Sequence, residues 1–576
     1  MLTLVASVTR RRRSRSLAPF GASAQRLVRL VRRVRLTALG ALILPASLHA
    51  QRLFGAGEDA SVLRPREWRW SFGARWTSWD EALDGAGQRS AINGRFTNPD
   101  AGPAFFGGLL ATQGFLRSAM GDSTVRVSMG AARLRSELHQ DRIPIALEVG
   151  ISKRLTVGLY VPLVNTYAGA AFDLNRLDPS PANVGLNPGF QNNTFAAAAG
   201  TVQTEASAAV AALQVAFPSC FAPTPGAGCA STIALAQNTT ALGLGVARVF
   251  GFSGRFAPVV GGALDNALRA RFTSINAQLR AALGVPAAGA DPILARPNSA
   301  PTRMALADFN TVLLTSGYEV RGDTLTALER SALGDVEVSA RWQWLNTFEG
   351  ARRDSGRVNP AGWRVRSLAG VTARLATGAK PYLGQLLDIG TGDGATGIEL
   401  RSTTDITAGD HFWASITGRY THMLADEVER RLPLSTLEAL VPSYRRQRLS
   451  RQLGDYAELE VTPRWMFNDY FAVSADYFLY LRRATTYGGG PFTVSDPYSG
   501  LPVTLDPAVL GVPHEIAQRA GIGIAYSTVA AHGRGSTRLP LDIRWQRIIT
   551  LGGENTPYAF QDRLELRIIT SLFGKP

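Results

Sequence analysis

Cysteine is almost absent: the 576 residues hold two, Cys220 and Cys229. Two thiols cannot build a disulfide scaffold or a cysteine-based zinc site, so the fold must rest on burial or on a membrane. Charge is also sparse, at 18% of residues against 45% hydrophobic, which is too apolar for a disordered chain. Long hydrophobic runs are missing as well. Outside the extreme N-terminus no stretch approaches the ~18 apolar residues that a spanning helix needs, which excludes a polytopic helical membrane protein. Histidine is rare and scattered: His49, His139, His411, His422, His514 and His532 show no metal-ligand spacing. No catalytic residue, cofactor or metal site is expected, and the chain does not read as an enzyme.

Acid is missing from one place in particular. Residues 1–50 contain ten arginines and no carboxylate, and removing them lowers the formal charge from +16 to +6. The arginines precede an apolar stretch, Leu36 to Ala46, and then Ser47-Leu48-His49-Ala50, the order of an n-region, an h-region and a cleavage site. We read residues 1–50 as a signal peptide, with an organellar transit peptide as the alternative. A basic cluster in a segment to be removed carries no nucleic-acid partner.

What is present is alternation. Trp68, Trp70, Phe72, Ala74 and Trp76 share one face, opposite Glu67, Arg69, Ser71, Gly73 and Arg75. Period two over about ten residues marks a strand with one apolar face. Twelve such segments recur, near 67–79, 126–152, 154–167, 334–346, 363–377, 396–407, 411–424, 454–468, 470–486, 513–528, 539–551 and 561–573. Tight turns such as Ser152-Lys153, Ala408-Gly409-Asp410 and Asn468-Asp469 alternate with long links, as in bacterial outer-membrane barrels. The even count and the alternating link lengths put both ends of the mature chain on the periplasmic side, and the last segment ends in Phe573 near Pro576. The fold expected is all-β, a transmembrane antiparallel barrel of about twelve strands, with fourteen as the alternative count. A soluble sandwich would have to expose the charged faces beside equally long Leu, Ile and Trp faces.

Residues 168–333 are different material: Val202, Ala206, Val210 and Leu213, then Leu264, Leu268, Phe272, Ile275, Leu279 and Leu283, follow helical spacing. The organisation expected is a signal peptide (1–50), first barrel strands with a long external loop (51–167), a largely helical extracellular insertion or cap (168–333) and the remaining strands (334–576). Cys220 and Cys229 inside the insertion are expected to form a local disulfide in an oxidising compartment.

The stretches Ala146 to Val164, Leu333 to Trp342 and Thr372 to Gly378 resemble the outer-membrane transporters grouped with the phenol-degradation MetA-pathway and FadL-type hydrocarbon channels. The resemblance spans roughly 143–168 and 333–407. It implies a barrel in the bacterial outer membrane that passes small apolar or aromatic compounds, with membrane lipid and the barrel-assembly machinery as partners. It carries over no binding residue.

If the apolar faces meet lipid, the lumen is charged. The candidates for an ion-pair network are Glu337, Arg341, Arg366, Arg374, Glu399, Arg401, Glu458, Glu460 and Arg464, because buried charges require partners. Arg366, Arg374, Glu337 and Glu399 lie on neighbouring strands and are expected to pair across them and narrow the pore. One motif points elsewhere. Leu386-Leu-Asp-Ile-Gly-Thr-Gly-Asp-Gly394 resembles the glycine-rich first motif of class I methyltransferases, but a strand rather than a helix follows it. It reads as a loop, with a weak cation site at Asp388 and Asp393 as the lesser alternative. Two functions remain: a passive transporter of small hydrophobic or aromatic compounds, or a structural or surface-binding barrel without transport.

Overall fold

The computed structural model describes residues 59–286, 291–297, 301–348, 362–409, 411–468, 470–497, 499–529 and 539–571. The leader 1–50, Phe573, Pro576, the turn residues Asp410 and Asp469, and most of the links 347–362 and 529–538 lie outside these residues.

Alternation produces strands where it was found. Twelve of them close into one antiparallel barrel: β1 Glu67–Leu83, β2 Ala132–Gly150, β3 Leu155–Leu174, β4 Glu337–Asn346, β5 Trp363–Arg374, β6 Gly397–Ala408, β7 Phe412–Met423, β8 Tyr456–Met466, β9 Phe471–Arg482, β10 Glu515–Ser527, β11 Leu541–Glu554 and β12 Thr556–Ser571. Each pairs with its sequence neighbour, and β1 pairs with both β2 and β12, so the ladder has no free edge. Closure pairs the strands around the barrel, the condition for a sheet to cross a bilayer. The exterior is apolar: Trp70, Phe72, Leu159, Val338, Ile398, Leu400, Ile522 and Leu564 are exposed. Arg69, Arg75, Glu148, Arg374, Glu399 and Thr417, on the alternate positions, are buried inside. Trp342, Trp344, Trp363 and Trp465 stand exposed near the ends of β4, β5 and β8 on the side of the tight turns, an aromatic girdle of the kind found at a membrane interface. We call this the turn end and the opposite rim the loop end. No helix among the described residues is long and apolar enough to cross a membrane.

Two boundaries differ from the sequence reading. The second strand starts at Ala132 rather than near 126, because Ser128 and Gly130 take part in hydrogen bonds with Asn183 and Ala101 in the adjoining loops. The final pair has no long link. β11 runs to Glu554 and β12 starts at Thr556, with Gly553 (φ 150°) and Asn555 (φ 52°) supplying the turn that most residues resist.

The loop end carries five helices: α1 Leu110–Met120, α2 Asn193–Ala216, α3 Ala230–Phe250, α4 Ala263–Leu283 and α5 Leu306–Leu314. Asn192 caps α2 by accepting from the Thr194 amide, and its buried stripe is Ala199, Val202, Ala206, Ala209 and Leu213. Small residues bring α2 and α3 together: a Cβ on Gly243 would lie 2.5 Å from that of Ala206. Cys220 and Cys229, between these helices, are disulfide-bonded. Helix cores join the inward faces of the long strands in one apolar cluster that includes Leu134, Leu138, Phe172, Leu242, Phe309 and Leu440. Phe172 of β3 stacks on Phe309 of α5 with ring centroids 4.5 Å apart.

Candidate functional site

Register decides which lumen charges meet. Glu337 on β4 lies directly opposite Arg374 on β5, and the Arg374 guanidinium donates to it at 3.2 Å. Arg366 is opposite Asp405 of β6 and donates at 2.6 Å. Arg341 and Arg69 both bind Glu148 of β2, closing β4 and β1 onto the same carboxylate. Glu399 is held by Arg401 two residues along its own strand, at 2.7 Å, and accepts from Thr372 at 3.4 Å. Arg419 lies 3.0 Å from Glu460 and 3.6 Å from Glu458. So Glu337 and Arg374 meet across strands as expected. Arg366 instead finds Asp405, and the recorded ion pair of Glu399 lies within its own strand. Arg464 departs furthest from the expected network: it has no ion pair among the described residues, because Ser474 and Trp413 stand opposite it on the adjacent strands.

Two groups of partners come from coil segments, which hydrophobic periodicity could not reveal. The first is the segment entering β1. Asp59 lies 3.7 Å from Arg366 and 3.9 Å from Arg544, inside the turn end. Burial alone would raise the Asp59 carboxyl, but Arg366, Arg69, Arg544 and Arg567 outweigh burial and hold it well below the usual carboxylate range. The Ala60 amide donates to Asp405 at 2.9 Å, Gln343 donates to the Ala60 carbonyl at 2.6 Å, and the Leu63 amide donates to Thr156 at 2.9 Å. Ala60 and Leu63 are buried. The chain then turns out through Arg66 (φ 68°), passing so close to β2 that a Cβ on Gly150 would lie 1.9 Å from the Arg64 carbonyl oxygen. Residues 59–63 thus occupy the lumen at its turn end.

The second is the glycine-rich motif. A short strand, Leu328–Leu333, continues the pairing of β3 beyond β4, and residues 334–336 break the ladder between them. The loop 375–396 covers that break. Asp335 accepts from the Gly378 and Asp393 amides at 2.8 Å each, and the Thr391 hydroxyl donates to the Leu333 carbonyl at 2.6 Å. Any side chain on Gly392 would strike the Asp335 carboxylate, at 2.7 Å. The glycines therefore let a loop lie flat against the barrel wall, and the motif does not open a helix. Asp388 binds Arg330, and Asp393 lies 3.0 Å from Arg374, so arginines occupy both carboxylates of the lesser cation-site reading.

Small cavities lie between the lumen side chains. One cavity of about 30 Å³ lies among Arg419, Glu460, Phe478, Arg519 and Arg563, and another of about 20 Å³ among Arg75, Arg544, Gln546, Arg563 and Glu565. Each is about the size of a single water.

No protein-family model matches the chain, and no curated protein matches it. Among solved structures the chain is similar to an outer-membrane channel of Pseudomonas putida F1, at 8% identity over 89% of this chain and 99% of that one, with a TM-score of 0.38. It is also similar to the P. putida toluene transporter TodX (10% identity, 88% and 89% coverage, TM-score 0.22). A FadL homologue of Pseudomonas aeruginosa gives 8% identity, 90% and 97% coverage, and a TM-score of 0.23. At these values the likeness is one of barrel architecture and carries nothing about solutes.

Proposed function

We propose that this chain is a passive transporter of the bacterial outer membrane for small hydrophobic or aromatic compounds. The observation that carries the reading is the interrupted wall. Between Leu333 and Glu337 the regular pairing with β3 lapses over Gly334, Asp335 and Val336, where the Gly334 amide donates to the Pro162 carbonyl at 2.8 Å and the glycine-rich loop 375–396 lies over the irregularity, with Leu163 and Leu333 exposed beside it on the outer face. Displacing a loop, even one held by hydrogen bonds to Asp335 and by the Asp388–Arg330 and Asp393–Arg374 pairs, separates no continuous ladder, so this part of the wall is a place through which an apolar solute can leave sideways. The helices of 168–333 form the extracellular cap, whose apolar core offers such a solute a first place to adsorb. Lumen arginines and carboxylates, Glu337, Arg341, Arg366, Arg374, Glu399, Arg401, Glu458 and Glu460 among them, form the constriction that denies polar solutes a wide axial pore.

That same constriction favours the second reading, a structural or surface-binding barrel. Entry of a toluene-sized hydrocarbon into cells making the intact chain, compared with cells making a version lacking residues 190–300, separates the two. The transporter reading expects faster entry with the intact chain and slower entry after deletion, with the barrel still heat-modifiable on gels. Entry no faster than in cells without the chain leaves the structural reading.

A further inference from the structure

We propose that two copies of this chain pair in the membrane through the outer face of β11 and β12, where an arginine and an aspartate of each copy meet those of the other. The argument begins with facing. Arg547 on β11 lies directly opposite Asp562 on β12, and its guanidinium donates two hydrogen bonds to the carboxylate, of 2.9 and 2.8 Å. The chain neighbours Gln546, Ile548 and Gln561 are buried inside the barrel, so the pair points outward. In contrast to the lumen pairs, 60% of the Arg547 side chain and 32% of the Asp562 side chain are exposed.

Its surroundings are those of the lipid band. Along the strands the next outward residues are Trp545 and Ile549 on β11 and Phe560 and Leu564 on β12. Across the ladder the pair is flanked by Ile522 of β10 and Trp76 of β1. All of these are apolar, and Phe560, Leu564, Ile522 and Trp76 are exposed. Beyond Phe560, toward the loop end, the face turns polar, with Arg89 over the Tyr558 ring at 3.5 Å beside Glu81. The pair therefore lies within the apolar band, where hydrocarbon replaces water as the neighbour. A guanidinium carries five N–H donors, and Asp562 takes two of them. The other donors and the remaining carboxylate lone pairs face lipid, a costly position for charge on the outside of a barrel.

A second copy relieves that cost, and the arrangement of the pair says how. Arg547 and Asp562 stand side by side on adjacent strands. A two-fold axis along the membrane normal keeps both copies at one depth and reverses left and right between the facing surfaces. Each Arg547 then meets Asp562 of the second copy, so the face is its own electrostatic complement. The apolar residues around the pair pack against their equivalents and close the four charged groups off from lipid, and packing with polar contacts between chains is what associates spanning segments in a bilayer.

Cysteine cross-linking of the full-length chain in intact outer membranes tests this, with heat-modifiable gel migration showing that each variant has folded. Leu564→Cys lies beside the axis and should give a disulfide-linked dimer on oxidation, whereas Leu400→Cys, exposed on β6, should not. Arg547→Leu with Asp562→Leu suits a lipid-facing position, keeps the barrel, and should lower the Leu564→Cys cross-link roughly tenfold or more. Arg547→Asp and Asp562→Arg should each lose the cross-link alone and regain it when the two variants are made together, because an acidic face then meets a basic one. Absence of the Leu564→Cys cross-link, the result expected if lipid or another protein covers this face, overturns the pairing. So do an equal yield at Leu400→Cys, an unchanged yield after the double leucine substitution, and a failure of the folded charge variants to recover together.

Discussion

Replacing Asp59 by Asn should release the segment that closes the turn end. Asp59 sits 3.7 Å from Arg366 and 3.9 Å from Arg544, with 16% of its side chain exposed. Removing one member of a buried charge cluster typically costs 3–5 kcal/mol, because the remaining charges stay buried without compensation. These distances exceed a direct hydrogen bond and Arg366 keeps Asp405, so the lower figure of about 2–3 kcal/mol is appropriate. The Ala60, Gln343 and Thr156 hydrogen bonds remain, each worth about 1 kcal/mol, and hold the segment most of the time. A loss of 2–3 kcal/mol multiplies the undocked fraction roughly 30- to 160-fold. Single-channel recording in planar bilayers reads that fraction as the frequency of open events. Leu63→Ala removes a buried side chain, costs a similar ~2–3 kcal/mol, and should raise the frequency comparably without altering charge. If both variants keep the opening frequency of the unaltered chain, residues 59–63 do not close the lumen.

Cys220→Ser with Cys229→Ser removes a bridge between residues nine apart in sequence, worth about 2–3 kcal/mol to the loop-end helices in the closure model. Heat-modified gel migration of the barrel should be unchanged while protease cuts faster between α2 and α3; loss of barrel assembly contradicts a bridge that serves only the loop-end helices. Burial raises the Asp426 carboxyl, but hydrogen bonds from Arg451 and Lys380, at 2.7 and 3.0 Å, outweigh it and leave the group below its ordinary value. Its stabilisation is therefore present above the unfolded value of about 3.9 and is lost as pH falls through the lower folded value. Hydrogen exchange in the hairpin of Asp426–Arg431 and Arg446–Gln452 should stay slow at pH 5 and quicken only below about pH 4, and loosening near pH 6 contradicts the assignment.

Strand number and facing were legible in the chain itself. A strand exposes alternate residues, so Trp68, Trp70 and Phe72 against Arg69 and Ser71 declare both the element and its two environments before any partner is known. The helices of the insertion were legible for the same reason at a different period, as Val202, Ala206 and Leu213 show. The pairing of Cys220 with Cys229 needed only their isolation from other cysteines. Periodicity is a local property, however, and a lumen contact is not. Arg366 meets Asp405 and not Glu337 because register, set by the whole ladder, places those two Cα atoms opposite. Asp59 and Asp393 belong to coil that has no period, and only closure of the barrel brings the first among Arg366 and Arg544 and the second to Arg374. The glycine-rich loop is the sharpest case. The strand that follows it already marks its sequence as a loop, but only the tertiary fold shows what that loop covers: an irregular strand whose Asp335 carboxylate accepts two backbone amides at close range.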